Sequence, residues 1–106
     1  MRQYVLNHIK DDLDLNELAE LCGVSVKTLY NLFRREYDKT PSAYIRELKL
    51  EAVHQQLTTD SSIRKVTPIA LDYGFTNLSR FSGQYKTLFG ETPSATLKRS
   101  RRYKMT

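Results

Sequence analysis

The strongest constraint on the fold of this chain is an internal repeat. Thr40-Pro41-Ser42-Ala43 returns 52 residues later as Thr92-Pro93-Ser94-Ala95, and the same offset aligns Leu29 with Phe81, Phe33 with Tyr85 and Tyr37 with Phe89. Further upstream the offset is 51, pairing Leu18 with Ile69, Ala19 with Ala70 and Gly23 with Gly74. The second copy therefore carries one extra residue just after its glycine, in a turn, where length changes are tolerated. A repeat of this kind describes a fold built twice from one supersecondary unit. Two such copies and their connector account for a chain of 106 residues, which is one domain's worth and too short for a catalytic domain plus a regulatory one.

The local grammar of each copy is helical. Asp14 is placed to cap a helix, with Glu17 three residues on at capping-box spacing, and Leu15, Leu18, Ala19 and Cys22 recur at helical intervals until Gly23 stops the run. Ser25 is an N-cap for a second helix with Leu29, Leu32, Phe33 and Tyr37 on one stripe. In the second copy Pro68 sits in a first turn, Ile69, Ala70 and Tyr73 lead to Gly74, and Thr76 or Asn77 caps a helix carrying Phe81, Tyr85 and Leu88. Helix, glycine turn and helix form a helix-turn-helix: the alanines let the helices approach, and the glycines accept the positive φ of a sharp turn. The segment Pro41 to Leu57 reads as a connecting helix of about 25 Å. It has two apolar stripes, Tyr44, Ile45, Leu48 and Ala52 on one side and Leu50, Val53 and Leu57 on the other, which fits a helix packed between the two units. Thr58 to Ser62 is the one loop expected. The expected organisation is all-α: residues 1–39 as a first helix-turn-helix subdomain, 40–58 as a linker helix and 59–106 as a second subdomain with a basic tail.

Composition narrows the function classes. With 40% apolar and 27% charged residues the chain is globular rather than disordered. No apolar run approaches the roughly 20 residues of a membrane span, and charge is mixed through Met1 to Lys10, so the expectation is a soluble, cytoplasmic protein. Cys22 is the one cysteine, and His8 and His54 stand far apart, so neither disulfide, metal nor cofactor is expected; Cys22 reads as a small buried residue and His54 as an exposed one. The four glycines form no phosphate cradle and no carboxylate pair or Cys-His pair stands out, so the chain is not expected to be an enzyme. The net charge of +5 is unevenly spread: residues 1–60 carry −2 and residues 61–106 carry +7.

Several runs resemble one family. Leu18-Ala19-Glu20-Leu21-Cys22-Gly23-Val24-Ser25, Tyr44-Ile45-Arg46-Glu47-Leu48-Lys49-Leu50-Glu51-Ala52, Ile69-Ala70, Gly74-Phe75 and Phe89-Gly90-Glu91-Thr92-Pro93-Ser94 are similar to the DNA-binding domain of AraC/XylS transcriptional regulators. Arg80-Phe81 and the ending Phe89 to Leu97 are most similar to the XylS-type branch. The resemblance covers nearly the whole chain and implies seven helices: one near Arg2 to Lys10, two helix-turn-helix pairs, the connecting helix and a short closing helix from Thr92. It implies double-stranded DNA as the partner and contact with RNA polymerase. A small-molecule effector would act only through a domain for which 106 residues leave no space. Two positions depart from the pattern: Asp38 stands where the second copy has Gly90, and Gly83 lies inside the second recognition helix.

A helix that buries one stripe in a core turns the opposite stripe to the DNA bases. In the first copy that face offers Lys27, suited to guanine N7 and O6, and Asn31, suited to bidentate pairing with adenine. Tyr30 flanks them and fits a base contact or the core equally well. In the second copy the resemblance places base contacts near Leu78, Ser79, Arg80, Ser82 and Gly83, with Arg80 the strongest. Phosphate-contact candidates are Ser25, Arg34, Arg35, Thr76, Lys86, Lys98 and Arg99, the last two leading a basic tail with Arg101, Arg102 and Lys104. The acidic group Asp11, Asp12, Asp14, Glu17 and Glu20 should face away from DNA. The competing reading is an all-α protein-interaction module that binds no DNA.

Overall fold

The computed structural model describes residues 2–11 and 13–104, with side chains described as far as Arg101. Among them the chain is all-α, as expected, with seven helices: α1 (Arg2–Asn7), α2 (Leu15–Cys22), α3 (Val26–Tyr37), α4 (Pro41–Thr59), α5 (Val66–Asp72), α6 (Leu78–Phe89) and α7 (Pro93–Lys104).

Helix starts and stops repeat between the copies down to individual bonds. Ser25 Oγ accepts from Thr28 N at 3.1 Å, and Asn77 Oδ1, rather than Thr76, accepts from Arg80 N at 2.9 Å, so each second helix is capped at its third residue. The extra residue of the second copy lies between Gly74 and this cap. Asp14 caps α2 by accepting from Asn16 N instead of reaching the Glu17 end of a capping box. Both first helices end in the same reversal. Val24 N donates to Ala19 O and Gly23 N to Glu20 O, while Phe75 N donates to Ala70 O and Gly74 N to Leu71 O, all at 3.0 Å. This is the Schellman arrangement, with Gly23 and Gly74 at φ 69° and 89°. The second helices also end alike, on left-handed residues, Asp38 at φ 55° and Gly90 at φ 79°. Thr40 and Thr92 then accept from Ala43 N and Ala95 N, each at 3.2 Å, opening α4 and α7 on buried prolines.

The chain divides into two compact units, Met1–Leu48 and Lys49–Thr106, and the division falls inside α4. In the first unit Val5, Leu18, Ala19, Leu29, Phe33, Tyr44, Ile45 and Leu48 form one core. In the second, Leu50, Val53, Leu57, Ile63, Ala70, Tyr73, Phe81, Tyr85 and Leu97 are buried. The two apolar stripes of α4 are thus used largely in succession along the helix: Tyr44, Ile45 and Leu48 of the first lie in the first unit, and the second stripe, with Ala52 of the first, lies in the other. The repeat also runs further than its Thr-Pro-Ser-Ala signature. Ile45 and Leu97, again 52 apart, are both buried, and each unit ties its closing helix to the preceding turn by an ion pair. The pair is Lys39 with Glu47 in the first unit and Glu91 with Arg99 in the second, the same positions with the signs reversed. The first half of α4 therefore closes the first unit as α7 closes the second.

Several expectations need correction. Helix α1 ends at Asn7 rather than Lys10, because His8 N splits its bond between Tyr4 O and Val5 O and leads into a turn. Helix α4 runs two residues past Leu57, since Thr58 and Thr59 hydroxyls satisfy the carbonyls of His54 and Gln55 in its last turn. The closing helix is not short: α7 runs to Lys104, so Lys98, Arg99 and Arg101 stand on a helix and not on a frayed tail. The side chains of Arg102 and Lys104, like all of Asp12, lie outside the described residues. Cys22 is exposed, because the buried face of α2 is confined to Leu18 and Ala19 and Cys22 occupies its last turn. Leu88 is 40% exposed; the inward position belongs to Phe89, which continues the i, i+4 row of Phe81 and Tyr85.

Asp38 alone of the left-handed caps has a Cβ. Replacing it by glycine should stabilise the protein by about 0.5–1 kcal/mol, the left-handed penalty less the entropy that glycine adds to the unfolded chain. A urea midpoint for Asp38→Gly at or below wild type would contradict this.

Candidate nucleic-acid interface

On α3 the inward residues are Leu29 and Phe33, with Leu32 half-buried. Lys27, Asn31 and Arg34 are exposed and follow one another at four- and three-residue spacing, so they share a face directed away from the core. Arg35 is exposed beside them and its Nε lies 3.7 Å from Glu36 Oε1, a contact between two solvated side chains that holds it weakly. Tyr30 is half-buried at the edge of this face. Ser25 is committed as the cap: besides accepting from Thr28 N it donates to Thr28 Oγ1 at 3.0 Å.

On α6 the inward residues are Phe81 and Tyr85. Ser79, Arg80, Gly83 and Lys86 are exposed, while Leu78 and Ser82 are half-buried. Thr76 is exposed and free of capping duty, which Asn77 performs. A Cβ built on Gly83 would meet nothing within 4 Å, so the glycine is not required by packing within the unit.

Lys98 is exposed on α7. Arg99 is also exposed but grips Glu91, with Nη2 2.5 Å from Oε1 and Nε 3.4 Å from Oε2. These bonds, together with one from Thr96, hold the Glu91 carboxyl below the usual glutamate range, and Glu91 in turn raises Arg99. Behind the ion pair runs a buried polar chain. Thr96 Oγ1 donates to Glu91 Oε1 at 2.9 Å, Tyr85 Oη donates to Thr96 Oγ1 at 2.9 Å, and His54 Nδ1 lies 2.8 Å from Tyr85 Oη. Burial pushes the Tyr85 phenol up. His54, expected to be an exposed residue of the connecting helix, is half-buried and stacks on Phe89 with ring centroids 4.2 Å apart and planes at 11°. Sequence reasoning missed this chain although one signal was present. Tyr85 occupies the core position that Phe33 holds in the first copy, and a hydroxyl buried there requires a partner. Among the described residues no three of His, Cys, Asp and Glu gather as metal ligands.

Residues 18–99 match the helix-turn-helix domain family. The XylDLEGF operon transcriptional activator of Pseudomonas putida is 43% identical over 101 residues, which cover 94% of this chain and 32% of that protein. The chain belongs to the AraC/XylS family. The transcriptional activator NphR of a Rhodococcus species is 35% identical over 83 residues, 77% of this chain and 24% of that one. Among solved structures, a Rhodopseudomonas palustris protein assigned to the AraC family of transcriptional regulators superposes with a TM-score of 0.87 at 32% identity, covering 93% of this chain and 92% of that one. A regulator from Chromobacterium violaceum with an AraC-type DNA-binding domain gives 0.83 at 28% identity, covering 93% and 87%. Membership makes this AraC/XylS chain a helix-turn-helix DNA-binding domain of transcription regulation, and sets aside the reading as a protein-interaction module. The chain spans about a third of the length of that Pseudomonas activator.

The Glu91 pair gives a pH test. Its folded pKa is lowered, so the stabilisation is present above the ordinary glutamate value of 4.5 and is lost as pH falls through the folded value. Wild type should therefore lose stability more steeply than Glu91→Gln as pH falls below 4.5, and parallel acid limbs in chemical unfolding would refute the assignment.

Proposed function

We propose that the chain binds double-stranded DNA sequence-specifically as a monomeric module, with α3 and α6 each entering a major groove, on DNA faces about 34 Å apart. The observation that supports this most directly is the duplicated geometry of the two helix pairs, each presenting a second helix with a buried stripe and an exposed polar face. Lys27 and Asn31 of α3 carry most of the base reading, with Tyr30 at its margin. Arg80 leads on α6, where Ser79 and Ser82 add polar contacts, Leu78 meets a thymine methyl and Gly83 admits the DNA closely. Arg34, Arg35, Thr76, Lys86 and Lys98 contact phosphates. Ser25 and Arg99 belong to the same phosphate-facing group. The cap bonds of Ser25 and the Glu91 grip on Arg99 make both secondary contributors.

Residues 1–39 and 59–106 carry the reading helices in this proposal, and 40–58 connect them. Contact with RNA polymerase, response to a small-molecule effector through sequence outside these 106 residues, and action in the cytoplasm on the nucleoid are proposed from the likeness to named transcriptional activators. Among the described residues no helix is long and apolar enough to cross a membrane. No catalytic role is proposed.

Selection from a random duplex pool should enrich a bipartite site with its halves about one helical turn apart. On the enriched duplex Lys27→Ala and Arg80→Ala should each lose about 1–3 kcal/mol, and lose much less on scrambled duplex. Equal losses on both would reject base reading by that residue. Lys98→Ala should lower the slope of log affinity against log salt by about 0.9 while leaving sequence preference intact. Gly83→Ala separates folding from binding: the isolated protein should gain about 1 kcal/mol of stability while DNA affinity falls. Unchanged affinity would remove Gly83 from the contact surface.

A further inference from the structure

The two reading helices occupy equivalent places in their units and are both packed by aromatic rings, but the hydrogen bonds added to those rings differ. In the first unit α3 is seated by rings: Phe33, Tyr37 and Tyr44 lie with centroids 4.5–5.3 Å apart, and the Tyr37 and Tyr44 side chains are hydrogen-bonded to each other. In the second, Phe81, Tyr85 and Phe89 of α6 also lie with successive ring centroids 4.5–6.0 Å apart, and a buried chain of hydrogen bonds is added to them. Tyr85 and Thr96 replace Phe33 and Tyr44 at the positions 52 residues on, and both are completely buried.

The direction of the hydrogen bonds follows from the carboxylate at their end. Ionised Glu91 can only accept. The one hydroxyl hydrogen of Thr96 goes to it at 2.9 Å in preference to the Thr92 carbonyl at 3.3 Å, because a charged acceptor makes the stronger bond. Thr96 Oγ1 must then receive the Tyr85 hydrogen, which leaves the phenol oxygen as an acceptor facing His54 Nδ1 at 2.8 Å. His54 therefore carries its proton on Nδ1 and donates. The same imidazole lies flat on Phe89, one helical turn beyond Tyr85. Two contacts on one side of α6, one turn apart, restrain its rotation about its own axis, and the opposite side carries Arg80 and Gly83, with Ser79 flanking.

We propose that His54 is a positioning residue for DNA reading: by holding Tyr85 and Phe89 it sets the angular seat of α6, and with it the discrimination exercised by the second unit alone. This rests on the DNA-reading assignment above. His54→Phe keeps a ring over Phe89 and removes the donor, His54→Asn restores an N–H near the Nδ1 position, and Tyr85→Phe installs the first unit's residue.

The test uses the duplex enriched by wild type from the random pool, together with versions in which either half-site is scrambled, and amide hydrogen exchange of α6. His54→Phe and Tyr85→Phe should each bind the intact duplex about five-fold more weakly than wild type, the worth of one hydrogen bond. Both should match wild type once the second unit's half-site is scrambled, and His54→Asn should recover most of the loss. Exchange should quicken in α6 and not in α3. An equal loss on all three duplexes, or none on the intact one, overturns the positioning role while leaving DNA reading intact. Failure of wild type to enrich any sequence overturns both.

Discussion

Each unit depends first on the reversal of the chain at its glycine. Gly23 and Gly74 adopt positive φ, and the bonds that their turns make to Ala19 and Ala70 satisfy carbonyls that the helix ends would otherwise leave unpaired. Both alanines are themselves buried, at 3% and 0% exposure, so the residue that accepts the turn's bond is also the small contact against the next helix. The turn and the close approach are one constraint. Everything that gives α3 and α6 an outward polar face follows from it, since a second helix set at a fixed angle on the first must bury one stripe and present the other.

The connecting helix serves both units without being a separate body. Its first stripe, Tyr44, Ile45 and Leu48, belongs to the first core, and Leu50, Val53 and Leu57 are buried in the second unit. Because the stripes succeed one another along the helix, neither half is amphipathic toward the same side, and an average over its length shows no preferred face. The charge-reversed pairs Lys39–Glu47 and Glu91–Arg99 add a distinction between otherwise similar closures. Exchanging α7 with the first half of α4 would set Lys39 beside Arg99 and Glu91 beside Glu47. Exposed pairs contribute little stability, but like charges at such positions oppose the exchanged arrangement.

What could be read from residues alone was whatever local chemistry decides. Capping by Ser25, glycine stops, the 51- and 52-residue offsets and the helical stripes depend on neighbours within one or two turns, and they located both helix pairs and the connecting helix; the first helix came from the family resemblance. The errors of burial lie where an outcome depends on groups distant in sequence. The burial of Cys22 was inferred from the period of α2, but the core covers only the middle of that helix. His54 looked like a solvated residue because its partners, Tyr85 and Phe89, lie 31 and 35 residues away. The length of α7 was underestimated because five basic side chains resemble a tail. The outward faces of α3 and α6 were legible because they are defined by the absence of packing; which of their side chains touch a base is a property of the complex.

The difference between the two seats has a physical consequence for reading. Both units pack their second helix with rings, Phe33, Tyr37 and Tyr44 in the first and Phe81, Tyr85 and Phe89 in the second, but the second unit adds hydrogen bonds buried in its core. A hydrogen bond weakens steeply once its donor angle degrades, and a buried hydroxyl left without a partner costs more than the bond is worth when made. The buried hydroxyl of Tyr85 thus adds an angular restraint on α6 to that of its ring contacts. That restraint suits the side chains involved. Beside the long Arg80 and Lys86, the exposed side of α6 carries Ser79 and Gly83, with Ser82 half-buried, and such short groups could meet DNA only where the backbone itself is placed correctly. If α6 reads DNA as proposed, those positions gain most from a fixed helix, and the chain from His54 to Glu91 adds to that fixing.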